Sequence, residues 1–397
     1  MRRTPMTDAP LDGIRVLDLT RLLPGPVCSL YLADFGADVI KIEDTGAGDY
    51  SRRIGGQGTT VSAFYRLINR NKRSLAVNLK DPRGRDAFLA LARTADVVVE
   101  GFRPGVMAGL RLDYPIVAEA NRRIVYCSLS GYGQNGPRSR AAGHDINYLG
   151  YAGVLDQTGT RGGPPALSNL QIADLLGGAA TAAIGILVAL VAALRTGRGR
   201  YVDVAMADAS FAHQFLALCA LEEDGHLHAR GDDLLTGGVP CYGVYATRDG
   251  RYLAVGALEE KFWRALCEAL DRSDLIASQF ARGADGERVQ AALSGIFASA
   301  SLSEWIARLG DVDCCVTPVL TLEEALADPQ FVARGMAVAA GGLRQFAPPF
   351  KLSDHAFGIT RPPPAHGADT VAVLREGGLA DATINELIAA HVVRADV

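Results

Sequence analysis

Residues 14–43 read IRVLDLTRLLPGPVCSLYLADFGADVIKIE, and this stretch predicts the fold of the amino-terminal half. The segments 14–19 and 38–43, rich in Ile, Val and Leu, are typical of strands. Residues 26–35 between them are typical of a helix that ends at Gly36. Strand–helix–strand order of this kind predicts two parallel strands in one sheet.

The same alternation continues to about residue 129. Further strands are predicted at 74–79, 96–100 and 123–129. Asp81-Pro82 predicts a helix that runs to about Thr94, because an N-cap carboxylate precedes proline at the first helical position. We therefore expect an α/β fold with a Rossmann-like, mostly parallel sheet.

Composition changes near Pro240, which predicts a second domain. Residues 241–247 and 252–255 are typical of a hairpin around the Asp249-Gly250 turn, and helical patterns follow. We predict a large α/β domain over 1–225, completed by 326–397, and a small α+β domain over 226–325.

The overall composition is that of a globular protein without nucleic-acid-binding character. The chain has 397 residues, is 49% apolar and 21% charged, and carries a net charge of −4 with both signs interspersed. Seven cysteines without a CxxC spacing, and no apolar run behind Met1, predict reduced thiols and a cytoplasmic location. Residues 175–194 are apolar enough to span a membrane, but their Ala and Gly content favours a buried helix, so we expect no membrane association.

Candidate proton-transfer groups lie in the middle of the chain. Gly143–Tyr148 reads GHDINY, and Asp174 precedes a Gly-Gly pair and the long apolar stretch. A histidine and a carboxylate near glycine-rich bends can exchange a proton across one bound substrate. A structural hydrogen bond is the alternative interpretation of such a pair.

Two other chemistries are disfavoured by missing motifs. Glu43 stands where dinucleotide-binding folds place a ribose-binding acid, but residues 20–26 lack the G-x-G-x-x-G that this role requires. His226 and His228 are close in sequence, but nothing nearby completes a metal site, so no metal is expected. His213 lies in an apolar stretch and is predicted to be a core histidine.

Ordered blocks through nearly the whole chain resemble one family. They include PLDGIRVLD at 10–18, ADFGADVIKIE at 33–43, NKRS at 71–74, FRPG at 102–105 and TGRGR at 196–200. On these blocks the chain resembles the CoA-transferase family III superfamily, which includes formyl-CoA transferases, carnitine CoA-transferases and α-methylacyl-CoA racemases. The GHDINY block, GALE at 256–259 and DCCVTPVL at 313–320 resemble the racemase branch. The short glycine segment at 235–240 is also similar to racemases rather than to formyl-CoA transferases.

The resemblance implies a reaction at the α-carbon of an acyl-CoA thioester. His144 and Asp174 would face opposite sides of that carbon, so that one removes the proton and the other returns one. Glu259 would orient His144, Asp145 would set the local network, and backbone N–H groups after Asp174 would stabilise the enolate. No cofactor is implied beyond the CoA of the substrate. The resemblance also implies an interlocked homodimer.

Two other functions stay open at this stage. In a CoA-transferase, Asp174 alone would be the nucleophile and would form an anhydride and then a CoA thioester. A non-catalytic acyl-CoA-binding protein is the third possibility, which the presence of His144, Asp174 and Glu259 together disfavours.

The resemblance also implies a set of CoA-binding residues. Around the adenine and pantetheine it implies Leu22, Val77, Lys80, Gly101, Phe102 and Arg103. Asp44 and Gly109 stand where relatives often carry phosphate-binding arginines. Arg103, Arg111 or Lys72 are candidates to replace those charges.

Overall fold

The computed structural model describes residues 9–55 and 61–395, which form two compact units. The first unit contains the chain up to Ala152, Ser168–His213 and the chain from Arg334 onward. The second unit contains Gly153–Leu167 and Gln214–Ala333, so it extends beyond the predicted span 226–325. Arg230 holds the earlier segment in this unit by donating to the carbonyl oxygens of Asp156 and Gly163, both at 2.5 Å.

The described residues form strands and helices in both units. The strands are β1 Arg15–Asp18, β2 Asp38–Glu43, β3 Arg73–Val77, β4 Val97–Glu100, β5 Val125–Ser130, β6 Tyr201–Ala205, β7 Tyr242–Ala246, β8 Tyr252–Gly256, β9 Val316–Pro318, β10 Ala337–Ala340, β11 Leu343–Phe346 and β12 Val393–Arg394. The α-helices are α1 Pro24–Asp34, α2 Ala63–Ile68, α3 Pro82–Ala92, α4 Val106–Gly109, α5 Tyr114–Ala120, α6 Asp145–Ala152, α7 Val154–Gln157, α8 Thr181–Thr196, α9 Met206–Ala212, α10 Phe215–Asp224, α11 Glu260–Ala269, α12 Gly283–Phe297, α13 Leu302–Leu309, α14 Leu322–Ala327, α15 Pro329–Ala333, α16 Thr370–Glu376 and α17 Asp381–Ala389. Short 3₁₀ turns occur at Tyr50–Arg52 and Ser273–Ser278, and Ala173–Ala180 is π-helical.

A seven-stranded sheet is the centre of the first unit. Its order is β12-β3-β2-β1-β4-β5-β6, and all neighbours are parallel except the antiparallel pair β12–β3. The order β3-β2-β1-β4-β5-β6 is the one that dinucleotide-binding folds use. The predicted α/β class with a mostly parallel sheet is confirmed, and β2 coincides with the predicted strand 38–43.

Strands β1 to β5 are buried on both faces, which explains apolar runs without alternation such as Val97–Val99, whereas β6 is partly exposed. Leu17, Ile40, Leu75 and Val98 are fully buried in one cluster with Phe88 of α3. Parallel strands covered on both faces are expected to be continuous hydrophobic runs. The predicted cap of α3 is present, because the Asp81 carboxylate accepts the Arg83 backbone N–H at 2.9 Å.

The long apolar helix is buried on one face only. Ala173–Thr196 is the one stretch of the described residues that is long and apolar enough to cross a membrane, and 44% of its most apolar window is buried. Ala182, Ile186 and Ala189 are buried, whereas Ile184 and Val188 are more than 60% exposed. The prediction of a fully buried helix is therefore wrong for one face of α8 in this chain.

The second unit has a separate core. Strands β7, β8 and β9 form an antiparallel sheet, and the β7–β8 hairpin turns at Gly250 with φ of +73°, as the Asp-Gly pair predicts. Trp263 and Trp305 are fully buried in this core, and each indole N–H donates to a backbone carbonyl.

His213, which directly follows α9 of the first unit, is exposed, so its predicted core position is wrong.

Candidate active site

His144 lies immediately before α6, and its backbone is fixed by the helix start. Its N–H donates to Asn147 Oδ1 at 3.0 Å, and the Asn147 N–H donates back to the His144 carbonyl at 2.8 Å. The Tyr148 hydroxyl donates to the Gly143 carbonyl at 2.5 Å. These bonds hold the backbone on both sides of His144 and leave its exposed imidazole available.

Two glycines make space for the Tyr148 ring. A Cβ at Gly131 would lie 2.3 Å from that ring, and a Cβ at Gly143 would lie 2.6 Å from it. Distances this short are not tolerated, so both positions require glycine unless Tyr148 moves. Tyr132 packs edge-on against the same ring, with centroids 5.1 Å apart. The sequence around His144 therefore specifies a tight loop rather than a flexible one.

Asp174 is held beside this loop by its neighbour Asp145. Asp174 lies in the first turn of the π-helical segment, and its backbone N–H donates to Asp145 Oδ1 at 2.9 Å. Asp145 is the first residue of α6 and directly follows His144. The carboxylate of Asp145 thus joins the segment that carries His144 to the segment that carries Asp174.

Burial and charge together set the proton affinity of Asp174. Burial, and secondly the negative charge of Asp145, raise the pKa of Asp174 from 3.8 to about 6, while His144 opposes the rise. Burial and the charge of Asp174 also raise the pKa of Tyr148 to about 12, so this phenol stays protonated. A carboxyl group whose pKa is near neutrality can both accept and donate a proton under ordinary conditions.

Close helix packing fixes the π-helical segment that carries Asp174. A Cβ at Gly177 would lie 3.0 Å from the Met206 carbonyl oxygen, and one at Gly178 would lie 3.0 Å from Cβ of Pro24. The segment is therefore packed closely against both α1 and α9. Wide helical turns of this kind occur often at functional sites.

Glu259 lies in the second unit, directly before α11. It is exposed, and its carbonyl accepts the N–H groups of Phe262 and Trp263 at 3.0 and 3.2 Å. Its carboxylate makes no capping bond to the helix. The role predicted for it beside His144 stays a prediction.

The predicted CoA-binding residues follow strands that end at one edge of the large sheet. Leu22 follows β1, Val77 ends β3, Lys80 follows β3, and Gly101–Arg103 follow β4. Carboxyl ends of parallel strands form the usual ligand-binding crevice of such sheets. Leu22 has φ of +67°, and its N–H donates to Asp49 Oδ1 at 3.1 Å, which holds this residue in a left-handed conformation.

Buried charges support this edge from below. Lys41 Nζ lies 2.7 Å from Asp49 Oδ2 with both side chains fully buried, and Lys41 also donates to the Thr20 carbonyl at 3.0 Å. Arg52 pairs with Glu43 at 2.6 Å. Buried ions are stable only when paired, so this network fixes the loops that follow β1 and β2.

Lys72, one of the three cations considered for CoA phosphates, cannot serve that role in this structure. Its side chain is fully buried, and Nζ donates to the Pro26 carbonyl at 2.8 Å and to Asn69 Oδ1 at 2.9 Å. It was a candidate from the resemblance, but its side chain points into the buried charge network. Arg103 and Arg111 are both exposed.

Comparison with known proteins identifies the family. The model of CoA-transferase family III matches residues 11–370. The chain belongs to this family. Among its relatives in CoA-transferase family III are human α-methylacyl-CoA racemase, 34% identical over 97% of this chain and 98% of that protein, and human succinyl-CoA:glutarate CoA-transferase, 32% identical over 97% and 90%. A CaiB/BaiF family protein from Brucella suis has a similar structure, with a TM-score of 0.81, 28% identity, and coverage of 94% of this chain and 100% of that one.

Within this family III chain, sequence reasoning missed two features of the site. Arg21 stacks between Tyr50 and Phe102, a contact that sequence spacing cannot reveal. Glu100 is the last residue of β4. Burial raises the pKa of its carboxyl group to about 7, although this group accepts hydrogen bonds from the Ser128 side chain and the Phe102 N–H. A charged residue at the end of the apolar run 96–100 was a usable signal for Glu100. Among the residues that the structure describes, no group of three His, Cys, Asp or Glu side chains could hold a metal ion.

Proposed function

We propose that this family III protein racemises 2-methylacyl-CoA thioesters by proton transfer between His144 and Asp174. The observation that carries the proposal is the bond from the Asp174 N–H to Asp145, since Asp145 directly follows His144. This bond couples two candidate bases that come from separate segments of one unit. Similarity to human α-methylacyl-CoA racemase over nearly the whole chain supports the same assignment.

The proposed chemistry needs no further cofactor. A thioester acidifies its α-proton, so a positioned base can remove it if the enolate oxygen is stabilised. Asp174, with a pKa of about 6, is mostly ionised near pH 7 yet can return a proton. We propose that His144 serves the opposite face, that Glu259 orients it, and that N–H groups at the start of the π-helical segment stabilise the enolate.

A CoA-transferase is the second candidate, and the same residue would carry it. Asp174 is half-buried at a helix start, and a carboxylate there could attack an acyl thioester to form an anhydride and then an aspartyl-CoA thioester. Human succinyl-CoA:glutarate CoA-transferase matches this chain over a similar length, which favours keeping this candidate. Asp174 is essential in both proposals, whereas His144 is essential only for racemisation.

Deuterium incorporation separates the two reactions. Each epimer of a 2-methylacyl-CoA is incubated with the enzyme in deuterated water, and α-deuterium and configuration are followed by mass spectrometry and NMR. Epimerisation should fall by about 10²–10⁴-fold in both His144→Ala and Asp174→Asn, because each removes one of two acid–base groups. His226→Ala, which changes an exposed histidine of the second unit, is the control.

The remaining outcomes decide against racemisation. If wild-type enzyme exchanges no α-hydrogen in either epimer while its circular dichroism is native, the racemase proposal fails for these substrates. A covalent CoA adduct on a peptide containing Asp174, formed equally in His144→Ala, would establish the transferase. Absence of both, with retained CoA binding, would favour the non-catalytic acyl-CoA-binding protein.

We further propose that the protein is a homodimer in the cytoplasm. Exposed apolar side chains line one face of α8, among them Ile184, Val188, Val191 and Leu194. A continuous exposed apolar face is typical of protein interfaces. All seven cysteines are free thiols, which fits a reducing compartment. Sedimentation velocity should give a dimer at micromolar concentration, and Val188→Glu should shift it toward monomer.

A further inference from the structure

The edge of the sheet that is proposed to bind CoA needs positive charge for the phosphates of this ligand. CoA carries a diphosphate and a 3′-phosphate, and phosphates are usually bound by arginine or lysine. At the loop after β2, Asp44 turns back on its own loop, where its Oδ1 accepts the Gly46 N–H at 2.8 Å and the Gly48 N–H at 3.4 Å. Gly109 has no side chain to contribute.

Several basic side chains of this region are already neutralised. Lys41 pairs with Asp49, and Arg52 pairs with Glu43. Lys72 is buried near Asp18 and donates to the Pro26 carbonyl and to Asn69 Oδ1. A buried, paired cation cannot be turned outward without leaving its partner uncompensated. The charge for a phosphate must therefore come from cations at the rim, where Arg103 and Arg111 are exposed and Arg21 is half-buried.

Arg21 is such a cation, and it is held in place. Its guanidinium lies 5.0 Å from the centroid of the Tyr50 ring and 4.9 Å from that of the Phe102 ring, and Nη1 donates to the Tyr50 hydroxyl at 3.2 Å. Stacking on aromatic faces leaves the edge of a guanidinium, with its N–H donors, free to bind. Within 9–55 and 61–395, Arg21 has no carboxylate partner.

The position of Arg21 fits a CoA phosphate. It directly precedes Leu22 and touches Phe102, two residues proposed to contact CoA, and it joins the loops that follow β1, β2 and β4. Tyr50, its second stacking partner, is 54% exposed, so the platform faces the rim. The buried Lys41–Asp49 pair beneath holds both loops, since Asp49 also accepts the Leu22 N–H.

We propose that Arg21, stacked between Tyr50 and Phe102, binds a phosphate group of CoA. The inference rests on the proposed acyl-CoA function. The bond is a charge-assisted one from a preorganised fork, so little rotamer freedom is lost on binding.

Isothermal titration with CoA and with 3′-dephospho-CoA tests the assignment. Arg21→Gln should weaken CoA binding by about 10- to 100-fold, the usual loss for a charge-assisted bond to phosphate. Arg21→Lys should restore part of the affinity, because it keeps the charge but not the fork. Arg122→Gln, an exposed arginine that precedes β5 at the opposite edge of the sheet, removes the same charge and should leave the affinity unchanged.

The choice of ligand identifies the phosphate and excludes a purely structural role. If Arg21 binds the 3′-phosphate, the Arg21→Gln defect disappears with dephospho-CoA; if it binds the diphosphate, the defect remains with both ligands and is absent with pantetheine. An equal loss for CoA, dephospho-CoA and pantetheine would overturn the proposal in favour of a structural role, as would unchanged affinity in Arg21→Gln. Failure of the wild-type protein to bind CoA at all would instead overturn the proposed function.

Discussion

Asp174→Asn should abolish catalysis and at the same time stabilise the folded protein at neutral pH. Burial and Asp145 raise the pKa of Asp174 from 3.8 to about 6, so the folded protein binds this proton more tightly than the unfolded chain does. A carboxyl group of this kind stabilises the fold while it is protonated. That contribution is fully present below pH 3.8 and is lost as pH rises through about 6. Asparagine cannot ionise and therefore keeps it.

The size of this stabilisation follows from the difference between the pKa values of Asp174 in the unfolded and folded states. Each tenfold change in proton affinity corresponds to ~1.4 kcal/mol, so ionising Asp174 in the folded state costs at most about 3 kcal/mol. Asp174 is only half-buried, and solvent screening reduces this figure. We expect Asp174→Asn to raise the free energy of unfolding by about 1–2 kcal/mol above pH 7.

Urea unfolding of both proteins at pH 8 and at pH 4 measures this difference. The variant should be more stable at pH 8, and the two should converge at pH 4, where Asp174 is protonated in the folded protein. Asp86→Asn, which removes an exposed carboxylate from α3, is the control for loss of one negative charge. Equal stability at pH 8, or the same difference at both pH values, would refute the argument that Asp174 is held at an energetic cost.

Three further predictions concern the supports of the site. Gly131→Ala places a Cβ 2.3 Å from the Tyr148 ring, so it should destabilise the fold by about 1–3 kcal/mol and lower the exchange rate. Gly150→Ala, in α6 with no atom within 4 Å of the added Cβ, should neither destabilise the fold nor lower the exchange rate. Lys41→Met leaves Asp49 buried without its partner and should lower the free energy of unfolding in urea by about 3–5 kcal/mol. Arg264→Met, which removes one partner of the exposed pair with Glu260, should lower it by less than about 1 kcal/mol. Similar losses in both variants would contradict the claim that the buried pair matters more than the exposed one. Burial raises the pKa of Glu100 from 4.5 to about 7, so the stability of the fold falls as pH rises through this range. Glu100→Gln should therefore stabilise the protein at pH 8 but not at pH 4. An effect of the same size at both pH values would contradict this argument.

The fold was predictable where one physical signal dominated. Residues 38–43 read DVIKIE, with Val39, Ile40 and Ile42 as the apolar, β-branched residues typical of a strand, and β2 has these bounds. β12 was not predictable, because Val393–Arg394 is only two residues long and pairs antiparallel with β3 through contacts distant in sequence. The wide turns of Ala173–Ala180 were also missed, since a period of 3.6 residues is assumed whenever an apolar stretch is taken as a helix.

Prediction of the site depended on whether a side chain's direction could be inferred. Asp145 and Asp174 are 29 positions apart; the resemblance placed Asp145 only in the network around His144, and the bond from the Asp174 N–H to Asp145 was found in the structure. Lys72 and Arg21 show that the direction of a side chain cannot be inferred from its position in the sequence. Both are cations of the same half of the sheet, yet Lys72 points into a buried network and Arg21 stacks at the rim. Only the packing of Pro26, Tyr50 and Phe102 around them decides which one can meet a ligand.

The π-helical segment makes the site more sensitive to a change in chain length than to many changes of side chain. Each residue advances an α-helix by about 100°. Deleting one residue between Asp174 and α8, such as Gly177, would rotate Asp174 about the helix axis by up to about that angle and break the bond from its N–H to Asp145, unless the wide turns tighten to α-helical turns and absorb the loss. A crystal structure of this deletion variant would show the rotation directly. Along this helix the number of residues, and not only their identity, encodes the direction in which the carboxylate points.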